Sequence, residues 1–504
     1  MKTVNDNGAT ERYHREGVER VSVAKRAMLV LIPLAVLIGF VVIQPSDVSP
    51  IVRVTSLSQL PNFQTLAVDA PAGRFFVADS NPGGHPGLIR TFDVATGQPQ
   101  ATIALPDAPG TLVIDSRVQH VFASHGVTVS TLDSRTLGVL RAVTVIAGPI
   151  APASIDAASR RTVTIASPLT TMVIDEKLAR VFGIASGGAA IDVLDARSGE
   201  LLWSIPVDGP VVGLALDRHV GHLIVTSDVT SRGGGTGATW VSVIDARNGR
   251  LLRTATIPMD TDPSLPIVVD ETHAHAFVLT DALTGAPAAG ANPNSGSVSI
   301  IDTRSGTLIH TVPMGSAIKD VAVDEQTGYA YAATLGTAQY IPNITTTRNG
   351  RFVMSVGRPT LVPVSTGFVR VLDATSGKIL RTISVGPAPL SVGIDEQRRR
   401  IYVLNAGRGY GTARRTDASS VSVIDARNGT VLSTISTGVG DGHLIIDSRA
   451  GRVVVLNDGG FVAGEDDKWG WIPSWVRRAL PIISPLPDGN RAVPASVTIL
   501  DMTR

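Results

Sequence analysis

The chain has 504 residues, with 44 Lys and Arg against 43 Asp and Glu, and its formal charge of +1 gives no electrostatic footprint for nucleic acid. It contains no Cys, which excludes disulfides, thiolate metal sites, Cys nucleophiles and covalently attached c-type haem. Aromatic residues are 4% and charged residues 17%, while Gly (50) and Pro (31) are plentiful, the profile of many short strands joined by tight turns.

Residues 1–26 are polar, and Arg15, Arg20, Lys25 and Arg26 lead into an uninterrupted apolar run over 27–43. As a helix this run rises roughly 26 Å, near the lower limit for a bilayer core of about 30 Å. A cleaved signal peptide is the rival reading. The long polar lead, and a following QPSDVSP that lacks a small-x-small cleavage pattern, favour a retained signal-anchor. Basic residues before the helix then place a cytoplasmic tail at 1–26. Residues 44–50 form a linker and 51–504 face the extracytoplasmic side, as in a single-pass cell-membrane protein.

From residue 51 onward two patterns alternate. One is an apolar strand, an Asp, a short turn and a second apolar strand: LAVDAPAGRFFVA from Leu66, LVIDSRVQHVFAS from Leu112, MVIDEKLARVFGI from Met172, and so on to LIIDSRAGRVVVL from Leu444. The other ends in Asp and, usually, a Gly four residues later: IRTFDVATG at Gly97, VSTLDSRTLG at Gly138, IDVLDARSG at Gly199, and further copies to VSVIDARNG at Gly429. A strand such as KILRTISV (Lys378 to Val385) follows most copies, so each unit supplies four antiparallel strands. The spacing is regular: 22 residues separate Asp93 from Asp115, Asp195 from Asp217, Asp302 from Asp324, Asp373 from Asp395, and Asp425 from Asp447.

Radially repeated four-stranded sheets predict an all-β fold, a β-propeller. Motif count gives eight blades. Seven is the alternative, because residues 147–172 are irregular and hold a partial unit from Ala153. The last copy, SVTILDMTR, has no room for a fourth strand, whereas Ile51 to Leu57 precedes the first unit without a partner. Pairing the two would close a ring rather than leave an open solenoid.

The combination VSVIDARNGxxLxTIxxGxxPxxVxID, followed by IYVLN at Ile401 to Asn405, resembles the YVTN-type β-propeller repeat. That group includes lactonase-like propellers and many extracytoplasmic bacterial proteins. The resemblance covers roughly 51–504 and implies the fold; propellers host hydrolases, oxidoreductases and binding modules alike.

Antiparallel blades put loops one-to-two and three-to-four on one face, here uniform short turns. Loops two-to-three and four-to-one share the other face, which carries every long segment: Ser227 to Thr239, Thr280 to Ser297, Thr334 to Gly367, Asn405 to Ser420 and Asn457 to Ala495. Binding groups are expected there. The last insertion holds Trp469, Trp471 and Trp475 beside Arg477 and Arg478, which suits a partner interface, a membrane-surface contact or a lid over the channel. At the channel mouth Lys319 and Asp320 enter one inner strand, Asp441 and His443 another, with Asp208 and Asp262 in equivalent loops. These four, Lys319, Asp320, Asp441 and His443, are the expected ligand-binding residues.

Other chemistry is poorly supported. His120, His222 and His275 each lie five residues after a repeat Asp, where other units carry Arg74, Arg180, Tyr329, Arg400 and Arg452. Pairing with the local Asp, or packing at the turn, is expected of them rather than metal binding. His273 and His275 alone are close enough to ligate together, without a third ligand. The repeat Asp residues read as turn formers, since Asp bonds backbone N–H groups two residues on and Gly supplies positive φ. The run GGGTG lacks a phosphate-loop ending, and no GxSxG elbow is present. The expected function is a binding or scaffolding module for a protein or small-molecule partner, with no resident cofactor. The alternative is a lactonase-type hydrolase with a carboxylate-lined mouth and a divalent cation.

Overall fold

The computed structural model describes residues 51–502 apart from 57–62, 80–86, 126–127, 145–168, 186–189, 229–238, 258–265, 281–295, 346–354, 364, 409, 411–417, 441, 458, 464–489 and 494–495. The polar lead, the apolar run over 27–43 and the linker 44–50 lie outside the described residues, as does the partial unit from Ala153. No helix among the described residues is long and apolar enough to cross a membrane.

Strand formation follows the repeat. In the first blade Phe63–Asp69, Arg74–Asp79, Gly87–Asp93 and Pro99–Leu105 pair in sequence order, each antiparallel to the next. Six further sheets repeat this order, and in the sixth blade the hairpin Ala338–Thr345 with Ser355–Pro363 is inserted between strands two and three. The eighth blade is composite. Gly442–Asp447, Arg452–Asn457 and Ser496–Asp501 take their outermost strand from Ile51–Ser56, with Ile51 opposite Asp501 and Ser56 opposite Ser496. Eight four-stranded sheets result, and the ring is closed by the two ends of the propeller segment.

The innermost strands neighbour one another around the ring, and that of the eighth blade, Gly442–Asp447, returns to that of the first. Apolar packing seals the same seam: Phe75, Phe92 and Val77 of the first blade cluster with Val454, Val497 and Ile499 of the eighth. Every blade is thus sandwiched between two others. This alters the meaning of the alternating third strand, which is buried on both faces rather than half-solvated; Val421, Ser422, Val423 and Ile424 are at most 1% exposed. The small polar member of the pattern is satisfied across the sheet instead. Ser242 lies 3.0 Å from Thr254, and Ser299 lies 3.1 Å from Thr311.

The turns between strands three and four are built as the sequence implies. Asp93 Oδ1 accepts the Thr96 N–H at 2.7 Å and Asp425 Oδ1 accepts the Arg427 N–H at 2.7 Å, while Gly97 (φ 70°) and Gly429 (φ 76°) close the turn in the left-handed region. The second blade departs from this. In VSTLDSRTLG the left-handed position is taken by Leu137 (φ 57°), whose N–H reaches the Asp133 carbonyl at 2.9 Å, and Gly138 falls one residue beyond. Leu137 is 2% exposed, so apolar burial offsets a backbone strain of roughly 1–2 kcal/mol.

The Asp that ends each innermost strand is buried, at most 2% exposed in all eight blades. Its Oδ1 typically holds the following turn, as Asp175 does through the N–H groups of Lys177 (2.9 Å) and Leu178 (3.0 Å). Of the histidines five positions later, expected to pair with this Asp or pack locally, His120 and His222 do otherwise, and Arg74 and Arg180 at the same position behave alike. Arg74 donates to the Ser134 carbonyl (2.9 Å), His120 to Ala196 (3.3 Å), Arg180 to Ala246 (3.1 Å) and His222 to Thr303 (2.7 Å). Each acceptor directly follows the turn Asp of the next blade. At these four positions the Arg or His is a blade-to-blade staple, because radial packing sets a turn carbonyl of the next blade against it.

Candidate functional site

Five long insertions leave the two-to-three loops on one face, and the opposite face consists of short turns, as the repeat pattern predicts. Two insertions carry paired strands of their own, Ala338–Thr345 with Ser355–Pro363 and Gly460–Ala463 with Asn490–Val493. Trp469, Trp471 and Trp475 lie outside the described residues, and so do Asp441 and Asp262.

The position four residues before the buried Asp lies near the long-loop face; it is Gly213 in the fourth blade and Pro266, just before the strand, in the fifth. The polar members of this ring are Thr65, Thr111, Thr171, Asp320, Ser391 and His443. Asp320 opposes Ala333 and His443 opposes Leu456, the same register in the sixth and eighth blades, with Ser391 of the seventh between them. In the sixth blade the pairing slips between Ile318 and Asp320, a bulge at Lys319 that recurs at this point in five other innermost strands. A bulge re-aims the side chain it carries. Lys319 is half-buried.

Asp320 is held by three donors. Its Oδ1 accepts the Val321 N–H at 2.8 Å, and its Oδ2 accepts the Ser391 hydroxyl and the Val392 N–H, both at 2.9 Å. Burial pushes its pKa up to about 6 against the pull of those donors. Burial also lowers that of His443, whose ring remains solvent-exposed while lying among dense protein atoms. Near neutral pH this arc therefore offers one carboxylate and one neutral imidazole. The carboxylate bonds the sixth blade to the seventh, so attack on a substrate would cost it those contacts; a fixed negative charge for a bound ligand requires no such loss.

The histidines do not converge. His273 Nδ1 lies 2.8 Å from Asp270 Oδ2, and its ring stacks near that of His275 with centroids 6.3 Å apart. No group of three or more His, Asp or Glu placed to hold a metal ion occurs among the described residues.

A feature not anticipated from the sequence is a groove of about 500 Å³ between the third and fourth blades. Ile205, Pro206, Asp208, Trp240, Ser242 and Leu251 line it. Its floor is possible because Gly249 (φ 73°) meets the third blade closely: a Cβ there would lie 2.9 Å from Ile205 Cγ1. At the position of Ser242 the first, third and sixth blades carry the larger Arg90, Asp192 and Arg370. The available signal was Trp240, a large ring where neighbouring units begin strand three with small residues. Behind the groove the Arg180 guanidinium stacks 4.5 Å over Trp203.

No protein-family model matches the chain, and no curated protein matches it. Solved structures do. The chain is similar to a europium-containing methanol dehydrogenase, with a TM-score of 0.51 and 13% identity over 89% of this chain and 93% of that one. It is also similar to the dihydro-heme d1 dehydrogenase NirN in complex with DHE, with a TM-score of 0.50 and 11% identity over 75% and 67%. BamB from Moraxella catarrhalis aligns over 89% of this chain and all of that one, with a TM-score of 0.46 and 13% identity. At such identities the likeness to the two dehydrogenases shows the fold alone and no chemistry.

Proposed function

We propose that the chain is a membrane-anchored, extracytoplasmic propeller of YVTN type that acts as a binding or scaffolding module for a protein or small-molecule partner. The observation that carries this reading is the contrast between the faces: one holds only short, internally bonded turns, the other every long insertion. A rigid ring with variable loops on one side is a platform for recognition. Lys319, Asp320 and His443, with Asp441 beside them in the sequence, are the proposed small-ligand contacts, and Trp469, Trp471 and Trp475 the proposed partner contacts. Asp320 supplies fixed charge rather than a nucleophile, which favours binding over lactone hydrolysis. Chemical cross-linking of the full chain in envelope membranes, beside a variant with the three Trp replaced by Ala, tests the partner contact. Loss of a cross-linked partner is expected in the variant; retention of all of them would remove the assignment.

A further inference from the structure

The groove between the third and fourth blades is lined by one ionisable side chain, the exposed carboxylate of Asp208. Register sets where that charge lies. Pro206 pairs with Ala190, which stands five residues before its turn Asp, as Trp240 does in the fourth blade. Asp208 follows Pro206 by two residues, so the carboxylate and the half-buried indole of Trp240 share the long-loop end of the groove. Ile205, Ile244 and Leu251 supply apolar wall along its length. At the plain-face end a Cβ on Gly249 would lie 3.3 Å from Trp203 Nε1, and the Arg180 guanidinium stacks 4.5 Å over that Trp203 ring. Negative charge thus stands at one end of the groove and positive charge behind the other.

A sister blade shows what such a space accepts. In the sixth blade Phe368 holds the position of Trp240 and Arg370 that of Ser242, while Gly315, two residues after Pro313, holds that of Asp208. Arg370 Nη1 lies 3.7 Å from the point where a Cβ on Gly315 would stand, so the protein's own guanidinium reaches into the equivalent space between the fifth and sixth blades. In the fourth blade that arginine is a serine, its hydroxyl 3.0 Å from that of Thr254, and the glycine is an aspartate. We propose that the groove between the third and fourth blades binds a small organic cation, a guanidinium or ammonium head on a short apolar stem, with the head between Asp208 and the Trp240 ring. A cation beside a carboxylate gains charge-assisted hydrogen bonds, and the face of an indole attracts it further. A volume of about 500 Å³ suits a ligand of this kind. The site shares no residue with the Asp320 arc and goes beyond the binding role assigned there.

The probe is butylguanidinium, with butylurea as its uncharged isostere, titrated against the full chain at low salt by saturation-transfer NMR. The cation is expected to bind saturably with a Kd of about 1 mM. It should bind about tenfold more tightly than butylurea. Asp208→Asn should bring the cation to the level of butylurea. Ser242→Arg, which copies Arg370, should abolish binding of both probes, and Trp240→Ser, which copies Ser297 of the fifth blade, should weaken the cation about fivefold. Both replacements already occur at these positions elsewhere in the ring, and each variant is required to melt as the parent does. Where Ser242→Arg fails that requirement, Asp208→Asn and Trp240→Ser decide. Equal binding of the two probes by the parent, or cation affinity that survives these variants, overturns the proposal. Affinity that survives them and is lost in Asp320→Asn overturns it too, and places the cation at the channel mouth instead.

Discussion

Asp320 shows how one buried carboxylate sets a pH response. With its pKa at about 6, above an ordinary 3.8, the folded chain holds this proton more tightly than the unfolded chain does. The stability it contributes is therefore fully present below about pH 4 and is lost as pH rises through about 6. A shift of this size, reduced for partial contact with channel water, corresponds to about 2 kcal/mol. Urea unfolding at pH 4 and pH 7 should show the parent chain losing that much more stability across the window than Asp320→Asn does; equal losses would mean an ordinary carboxylate. The position of Asp320 at the entry of an inner strand was legible in the sequence. Its role was not, because Ser391 and Val392 lie 71 and 72 residues away and reach it only when two blades pack.

Between a strand and its neighbour the same logic applies to ion pairs. Arg399 reaches Asp324 Oδ2 at 2.8 Å, joining the seventh blade to the sixth, and Asp324 is wholly buried. Removing the cation strands a buried charge, so Arg399→Met should destabilise by about 3 kcal/mol. Arg218 and Glu271 lie 3.0 Å apart, but their side chains are 46% and 27% exposed, and Arg218→Ala should cost below about 1 kcal/mol. Chemical denaturation of the two variants distinguishes them; similar losses would mean that burial does not decide. At this scale the Asp-turn signal announced where each strand ends and what its Oδ1 does. The staples at His120 and His222 were expected to be local contacts, and those at Arg74 and Arg180 had no sequence signal, since a turn residue's nearest acceptor in sequence is not its nearest in a packed ring.

The whole ring depends on an N-terminal strand completing a C-terminal blade. A chain lacking residues 1–56 should keep the apolar seam of Phe75, Phe92, Val454 and Ile499, yet leave Ser496–Asp501 as a bare edge. It is expected to melt a few degrees lower and to self-associate in light scattering, because an unpaired strand templates further pairing. An unchanged melt and a monodisperse product would show that the closing strand contributes nothing. Eight blades, not seven, close the ring.

By itself the sequence determined the unit: strand alternation, Asp and Gly turn chemistry and constant spacing are local, and local rules suffice to state how one blade is made and which face takes the insertions. Only the tertiary structure decided what those residues touch. Third strands are buried on both sides, staples cross from blade to blade, and the groove beside Trp240 is lined by the small Ser242 and closed where Gly249 meets Ile205 of another sheet. Such contacts join positions tens of residues apart, and the periodicity of one strand carries no record of the side chain that packing sets against it.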